Sequence, residues 1–458
     1  MVQVTAKGPA TEHRNSGDHP LSIIYRNVST LQFDPNNPRQ HGPRQIRQIA
    51  RSIEAFGFNV PVLINAEQQV IAGHGRLLAA QLLGMTQVPT ITLEHLTEDQ
   101  VRAFMIADNR LTENSAWNEE LLAEQLKALS IVALDFSIEA TGFEMGEIDV
   151  MIEGLTPAGR SADDPADAIP DSQAKPQVTR SGDLWILDRH RVYCGDARND
   201  SNYSILMQGR RAAMVFTDPP YNDPIDGYVT GFGKLHHPEF ALASGEMSQA
   251  EFTDFLTKIL AQLARHSADG ALHFVCMDWR HLQELMSAVR AVRMEFKNLC
   301  VWVKENAGQG SLYRSQHELV FVFKSGKKPH RNNIQLGQYG RYRTNVWQYR
   351  RVNSLSRNTE EGNLSNLHPT IKPVQLVADA ILDCTARRDV VLDPFLGSGT
   401  TVIAAERTGR TCYGVELDPR YVDTIVRRWQ AFTGGSAVQE STSRIFNDIE
   451  QEHHGQPK

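Results

Sequence analysis

Val390-Val-Leu-Asp-Pro-Phe-Leu-Gly-Ser-Gly-Thr-Thr401 begins as an apolar strand, passes through a glycine-bearing turn and opens a helix near Thr400. Gly397 and Gly399 allow positive φ and let a ligand come close to the backbone. No Gly-Lys-Ser/Thr follows, so a triphosphate-cradling loop is disfavoured. The next strand candidate, Cys412–Val415, ends at Glu416, 23 residues beyond Asp393. An acid about 20 residues past the turn, at the tip of the second strand, is where Rossmann-like sheets grip a ribose. The pair predicts a nucleoside-bearing ligand in an α/β domain.

Further strand candidates are Ala213–Phe216, Ala271–Val275 and Glu318–Phe323, with helical periodicity over Gln249–Arg265 and Pro373–Ala386 between them. Such alternation predicts a mainly parallel sheet. One of these strands runs into Asp218-Pro219-Pro220-Tyr221. Two prolines lock φ and remove two N–H donors, leaving free carbonyls. A carboxylate and a rigid carbonyl beside an aromatic ring suit the amino group of a planar base.

Upstream, residues 1–20 are expected to be a disordered leader and 21–155 a separate mixed domain. There, Val60–Ile64 and Val70–Ala72 read as strands, and Arg76–Leu83 and Asn118–Leu129 as helices. Residues 156–180 carry four prolines and almost no large apolar side chains, the composition of a tether. The second domain is expected over 181–433 and a frayed polar tail over 434–458.

The 41% apolar and 22% charged content is that of a globular chain, and no run reaches membrane-spanning length, so a cytoplasmic location is expected. The five widely spaced cysteines lack zinc or disulfide spacing and read as core residues, with no metal expected. A net charge of −7 does not advertise nucleic-acid binding, yet from Lys324 to Arg357 there are nine Lys/Arg and no acid. Aromatic residues (Tyr339, Tyr342, Trp347, Tyr349) and amides are interleaved, the mixture that neutralises phosphates, stacks on bases and reads their edges.

Together these motifs resemble the S-adenosylmethionine-dependent amino-methyltransferases of DNA. Asp218-Pro-Pro-Tyr221 is similar to the family's catalytic tetrapeptide, Asp393–Thr400 to its cofactor loop and His368-Pro-Thr-Ile-Lys-Pro373 to the segment before that loop. The catalytic motif precedes the cofactor loop, as in the permuted β-class. The resemblance spans about 250 residues from Gly182 to Phe432. It implies a Rossmann-like sheet, S-adenosyl-L-methionine as cofactor and duplex DNA as partner. Asp218, Pro219, Pro220 and Tyr221 would act on a flipped base. Asp196, Lys372, Asp393, Pro394, Phe395, Gly397, Ser398, Gly399, Thr400 and Glu416 would hold the cofactor. A target-recognition segment is implied over about 324–366, with Lys327, Lys328, Arg331, Arg341, Arg343, Arg350 and Arg351 meeting DNA. Charge reversal at Arg341 and Arg343 is expected to weaken that contact.

No cysteine follows a proline, which excludes cytosine C5 chemistry. The aspartate opening the tetrapeptide favours adenine N6 over cytosine N4, since N4 enzymes of the family more often carry serine there. A DNA-binding or partitioning protein with a non-catalytic methyltransferase scaffold is the contrasting reading. The setting would be DNA modification, with or without a partner restriction endonuclease, and a homodimer is left open.

Asn37-Pro-Arg39, Gly57–Val62 and Ala72-Gly-His-Gly-Arg-Leu-Leu-Ala79 resemble the ParB/sulfiredoxin-like N-terminal domain over about 21–117. In ParB proteins these boxes bind CTP. Here the middle box lacks glutamine before Pro61, and the third reads Gly-His-Gly-Arg where the family has Gly-Glu-Arg-Arg. Gly73, Gly75 and Arg76 remain suited to an anion at a helix start.

Overall fold

The computed structural model describes residues 21–155, 164–170, 175–222, 245–305, 307, 312–350 and 371–454. The expected leader, His368 to Thr370 and Arg351 lie outside these residues, as do parts of the expected tether and recognition segment.

Contacts divide the chain into two compact units, 1–125 with 132–144, and 126–131 with 145–458. The first is α+β. Its strands β1 (Ile23–Asn27), β2 (Gln32–Phe33), β3 (Val62–Ile64), β4 (Gln69–Ala72) and β5 (Gln87–Thr92) form a mixed sheet in the order β1-β5-β3-β4-β2. Helices α1 (Pro43–Phe56), α2 (His74–Leu82) and α3 (Glu98–Glu113) accompany it. Thr97 and Gln100 cap the start of α3 reciprocally. Val62, Ile64, Val70, Leu77 and Val88 make its core.

Helix α4 (Glu119–Ile131) follows, then α5 (Met145–Gly154). The expected boundary after residue 155 moves upstream, because α5 belongs to the second unit. Asp149 of α5 is fully buried there, forked onto Arg410 at 2.7 and 3.0 Å, with Arg387 at 3.1 Å.

The second unit holds, among the described residues, a ten-stranded sheet. Its strands are β6 (Leu184–Leu187), β7 (His190–Cys194), β8 (Ala212–Thr217), β9 (Ser267–Met277), β10 (Glu295–Val303), β11 (His317–Lys324), β12 (Val346–Gln348), β13 (Val390–Asp393), β14 (Thr411–Glu416) and β15 (Val438–Gln439). The order is β12-β10-β11-β9-β8-β13-β14-β7-β6-β15. β9, β8, β13, β14 and β7 run parallel to one another, flanked by antiparallel β11 and β6.

Both faces are covered, which is why the central strands are almost uninterrupted apolar runs. Met214 and Phe216 point into one core with α9 (Val374–Cys384), α10 (Thr400–Thr408) and α11 (Pro419–Thr433). Val215 points into the other with α6 (Asp200–Met207), α7 (Gln249–His266) and α8 (Leu282–Ala291). Ser248 and Glu251 cap the start of α7 reciprocally. All five cysteines are free and buried. No helix among the described residues is long and apolar enough to cross a membrane.

Two expectations change at the edges. Described parts of the expected tether are tied to the second unit. The Val178 and Thr179 N–H groups donate to Asp423, and Asp167 accepts from the Val374 N–H at 2.8 Å. The expected tail forms β15 and α12 (Phe446–His454). Phe446 is fully buried edge-on against Trp185 at 5.1 Å, an anchor that the polar composition around it conceals.

Candidate functional site

Four neighbouring parallel strands end at four acids: Asp218 after β8, Asp393 on β13, Glu416 on β14 and Asp196 after β7. The chain winds outward from β8 to β9 on one side and from β13 to β14 on the other. The crevice beyond the carboxyl ends at such a reversal is where open α/β sheets bind ligands.

On the β13 side, Asp393 ties its strand to the following helix. Its Oδ1 accepts from the Phe395 N–H at 3.0 Å and its Oδ2 from the Thr401 hydroxyl at 2.6 Å. Gly399 caps α10 at φ +85°, where an added Cβ would also lie 3.0 Å from Ile425. The Gly397 N–H donates to Glu416 Oε2 at 2.8 Å, and the Asp418 N–H to Glu416 Oε1 at 2.9 Å. Pro394 is buried, and the Phe395 ring lies 6.2 Å from Phe255. Behind the turn, buried Arg428 donates to the Ser398 carbonyl at 3.0 Å and the Thr400 hydroxyl at 3.3 Å.

Burial pushes the Glu416 carboxyl up to about 7, against the pull of its two N–H donors. Burial likewise raises Asp393 to about 7. Asp196 is forked onto Arg198 at 2.6–3.0 Å, and those hydrogen bonds hold it below its ordinary value. Carboxylate acceptors, an aromatic flank and a close-approach turn fit a donor with ribose hydroxyls, an adenine ring and an ammonium group.

On the β8 side, Asp218, Pro219, Pro220 and Tyr221 follow the strand without interruption. The Tyr221 hydroxyl lies 2.7 Å from Asp218 Oδ1 and 3.0 Å from Glu318 Oε1. Lys372 Nζ sits 2.5 Å from both Asp218 Oδ2 and Glu318 Oε1. Lys304 Nζ holds the other Glu318 oxygen at 2.9 Å. Lys372, expected to hold the cofactor, thus aims its ammonium at the target-side carboxylates, while its carbonyl accepts from Thr400 at 3.3 Å. It joins the two halves of the crevice.

Burial raises the Asp218 carboxyl, and Lys372 partly offsets it. Burial also acts on Glu318, but Lys372 and Lys304 outweigh it and hold that carboxyl at about 2. Asp218, Cys276 and Glu318 bring three ligand-type atoms within 4.8 Å of one another. The cation that the two carboxylates hold is Lys372. Sequence reasoning missed Glu318 and Lys304. An acid opening an apolar strand carries no signature of its own.

The basic run divides. Arg341 is buried among Glu153 (3.2 Å), Asp379 (3.0 Å) and Asp383 (3.3 Å). Arg343 pairs with Asp383 at 3.1 Å and with the Tyr349 hydroxyl at 2.6 Å. Both were expected to meet DNA; instead Arg341 anchors its segment to α9 and α5, and Arg343 anchors it to α9. Acids distant in sequence satisfy them. Tyr339 and Trp347 are buried, whereas Tyr342 is exposed. Arg350 pairs with Glu305 at 3.0 Å. Lys327, Lys328 and Arg331 have exposed side chains.

In the first unit, Gly73 caps α2 at φ +97°, and the Arg76 guanidinium folds back to within 3.1 Å of where a Gly73 Cβ would stand. A Cβ on Gly75 would lie 3.0 Å from Ile49 and 3.1 Å from His41. Burial lowers the Arg76 pKa, and its Nε has no hydrogen-bond partner. The three expected residues are together at one helix start.

Comparison with known proteins agrees with this architecture. Residues 212–427 match the DNA methylase family model, 120–181 the ParB-methyltransferase HTH domain and 16–109 the ParB N-terminal domain. The second match covers the stretch read above as a tether. The ParB-like nuclease domain-containing protein YnaK of Escherichia coli (strain K12) is 44% identical over 80 residues, 18% of this chain and 92% of that protein. Type II methyltransferase M.HpaI of Haemophilus parainfluenzae is 22% identical over 251 residues, 52% of this chain and 74% of that one. Among solved structures, PvuII DNA methyltransferase (cytosine-N4-specific) is 18% identical with a TM-score of 0.40, covering 61% of this chain and 95% of that one. By the family models, residues 212–427 form a DNA methylase domain of the N6/N4 family, preceded along the chain by a ParB N-terminal domain and a ParB-methyltransferase HTH domain.

Proposed function

We propose that this DNA methyltransferase acts on adenine N6, taking the methyl group from S-adenosyl-L-methionine to a base turned out of the duplex. The observation that carries the reading is the Asp218 carboxylate, joined through Lys372 to the cofactor turn and flanked by two prolines and a tyrosine. Cytosine N4 is the second reading. Asp218 in place of serine favours adenine.

The exocyclic amine is a poor nucleophile because its lone pair is delocalised into the ring. In a duplex it is also paired, and extrusion costs a few kcal/mol. Tyr221 stacks on the flipped base and recovers about 1–3 kcal/mol. Asp218 and the Pro219 carbonyl accept the two N–H bonds, which localises the lone pair as attack develops. That help grows towards the transition state and therefore accelerates the reaction. Glu416 accepts the ribose hydroxyls. Asp393, Pro394, Phe395, Gly397, Ser398, Gly399 and Thr400 shape the rest of the cofactor site, with Asp196 near the adenine. When bound there, the donor supplies an electrophilic methyl group on a sulfonium.

Lys327, Lys328 and Arg331 are the exposed cations that meet the phosphate backbone. In the N-terminal domain, Gly73, Gly75 and Arg76 hold a nucleotide phosphate, CTP being the first ligand to try.

Incubating duplex DNA with the protein and labelled donor, then digesting to nucleosides, tests the assignment. N6-methyldeoxyadenosine is expected. N4-methyldeoxycytidine would move the reading to the second alternative, and unmodified nucleosides would overturn both.

A further inference from the structure

We propose that Glu318 is a positioning residue for methyl transfer, taking over the donors that occupy Asp218 when the target amine docks. The inference rests on the function proposed above. Both Asp218 oxygens are engaged, Oδ1 by the Tyr221 hydroxyl and Oδ2 by the Lys372 ammonium. An arriving amine must compete with these donors for the same lone pairs. Stripping Lys372 from its partner in a buried site would leave an uncompensated charge, which is strongly unfavourable.

Glu318 removes that obstacle. Its Oε1 already stands 2.5 Å from Lys372 Nζ and 3.0 Å from the Tyr221 hydroxyl. The phenol has one proton and serves one carboxylate at a time. Each donor therefore has a second acceptor within reach, with no side chain crossing the site. Lys304 at 2.9 Å from Oε2 keeps Glu318 ionised and fixed. Two carboxylates and two ammonium groups sum to zero charge, so a neutral base enters without changing the buried charge. Glu318 is itself held on the sheet, on β11 where it pairs in register with Trp302 of β10.

The test compares the full-length wild type with Glu318→Gln, Glu318→Asp and the double variant Glu318→Gln/Lys372→Gln. The readouts are kcat, KM for duplex DNA and donor affinity. In Glu318→Gln, Lys372 is left locked on Asp218, so kcat is expected to fall about 100-fold, with KM and donor affinity within about 3-fold of wild type. Removing the locked cation as well should restore about 10-fold of that loss. A role confined to holding the fold together predicts further loss instead. Glu318→Asp preserves the buried charge at shorter reach, and its kcat should lie between wild type and Glu318→Gln. This variant carries the test should the glutamine variant not fold. Wild-type kcat in either single variant, or a double variant as slow as Glu318→Gln, overturns the handover. The wild-type rate measured alongside separates that failure from a failure of the methyltransferase reading.

Discussion

At the scale of single residues, partners decide what a charge does. Arg341 sits among three acids and is buried, so it is a structural cation. Arg341→Glu is expected to lower stability by about 3–5 kcal/mol by setting a fourth carboxyl group among those acids in place of their shared cation. It should leave the salt dependence of DNA binding unchanged. Thermal melting checks this, and wild-type stability with weakened DNA binding would contradict it. Lys327 and Lys328 are the contrast, with exposed side chains next to a turn that their backbone N–H groups tie to Asp269. Reversing both charges should weaken DNA binding at every sequence and reduce the slope of log K against log salt by about 2. An unchanged slope removes them from the interface. In the sequence these three cations look alike. Asp379 and Asp383 come from a helix beyond the run and Glu153 from one well before it, so only folding tells them apart.

At the scale of elements, the strand tips are where reading and structure agree most closely. Asp218, Asp393 and Glu416 were legible because each follows an apolar run that can only end in a turn. Glu318 was not, since it lies near the start of its strand and its partners, Lys304 and Lys372, come from other parts of the chain. The described parts of the expected tether and tail depart from expectation for one reason. A few buried contacts, Thr179 on Asp423 and Phe446 on Trp185, hold segments whose average composition is polar. The tip of β14 makes a pH prediction. Burial raises Glu416 from an ordinary 4.5 to about 7, so the free protein binds a proton there below neutrality. Hydroxyl donors favour the ionised form. Donor affinity should therefore rise as pH climbs through 7 and level off above it, by up to about 10-fold per unit on the acid side. The same shift acts oppositely on folding. Its contribution to stability is complete below pH 4.5 and is lost as pH rises through 7. Titration calorimetry at pH 6 and pH 8 checks the binding side, and equal affinity at both would remove Glu416 from the site.

At the scale of the whole molecule, the order of motifs along the chain sets the layout. The catalytic strand precedes the cofactor strand in sequence yet lies beside it in the sheet, so the reversal between β8 and β13 brings two distant turns together. The N-terminal domain repeats the same physics on a smaller scale, with a glycine-capped helix start and an arginine that lacks a full set of partners. CTP binding to the full-length protein should be lost in Arg76→Ala, measured by equilibrium dialysis. Retained binding would place any nucleotide elsewhere. The proposed function requires that Asp218 act on the base and not on the donor. Single-turnover methyl transfer to duplex DNA by Asp218→Ala, measured together with donor affinity, is its most direct test. At least a 1000-fold loss of rate is expected, about 4 kcal/mol at 1.36 kcal/mol per decade, with donor affinity within about 3-fold of wild type. Methylation at a rate near wild type would contradict it.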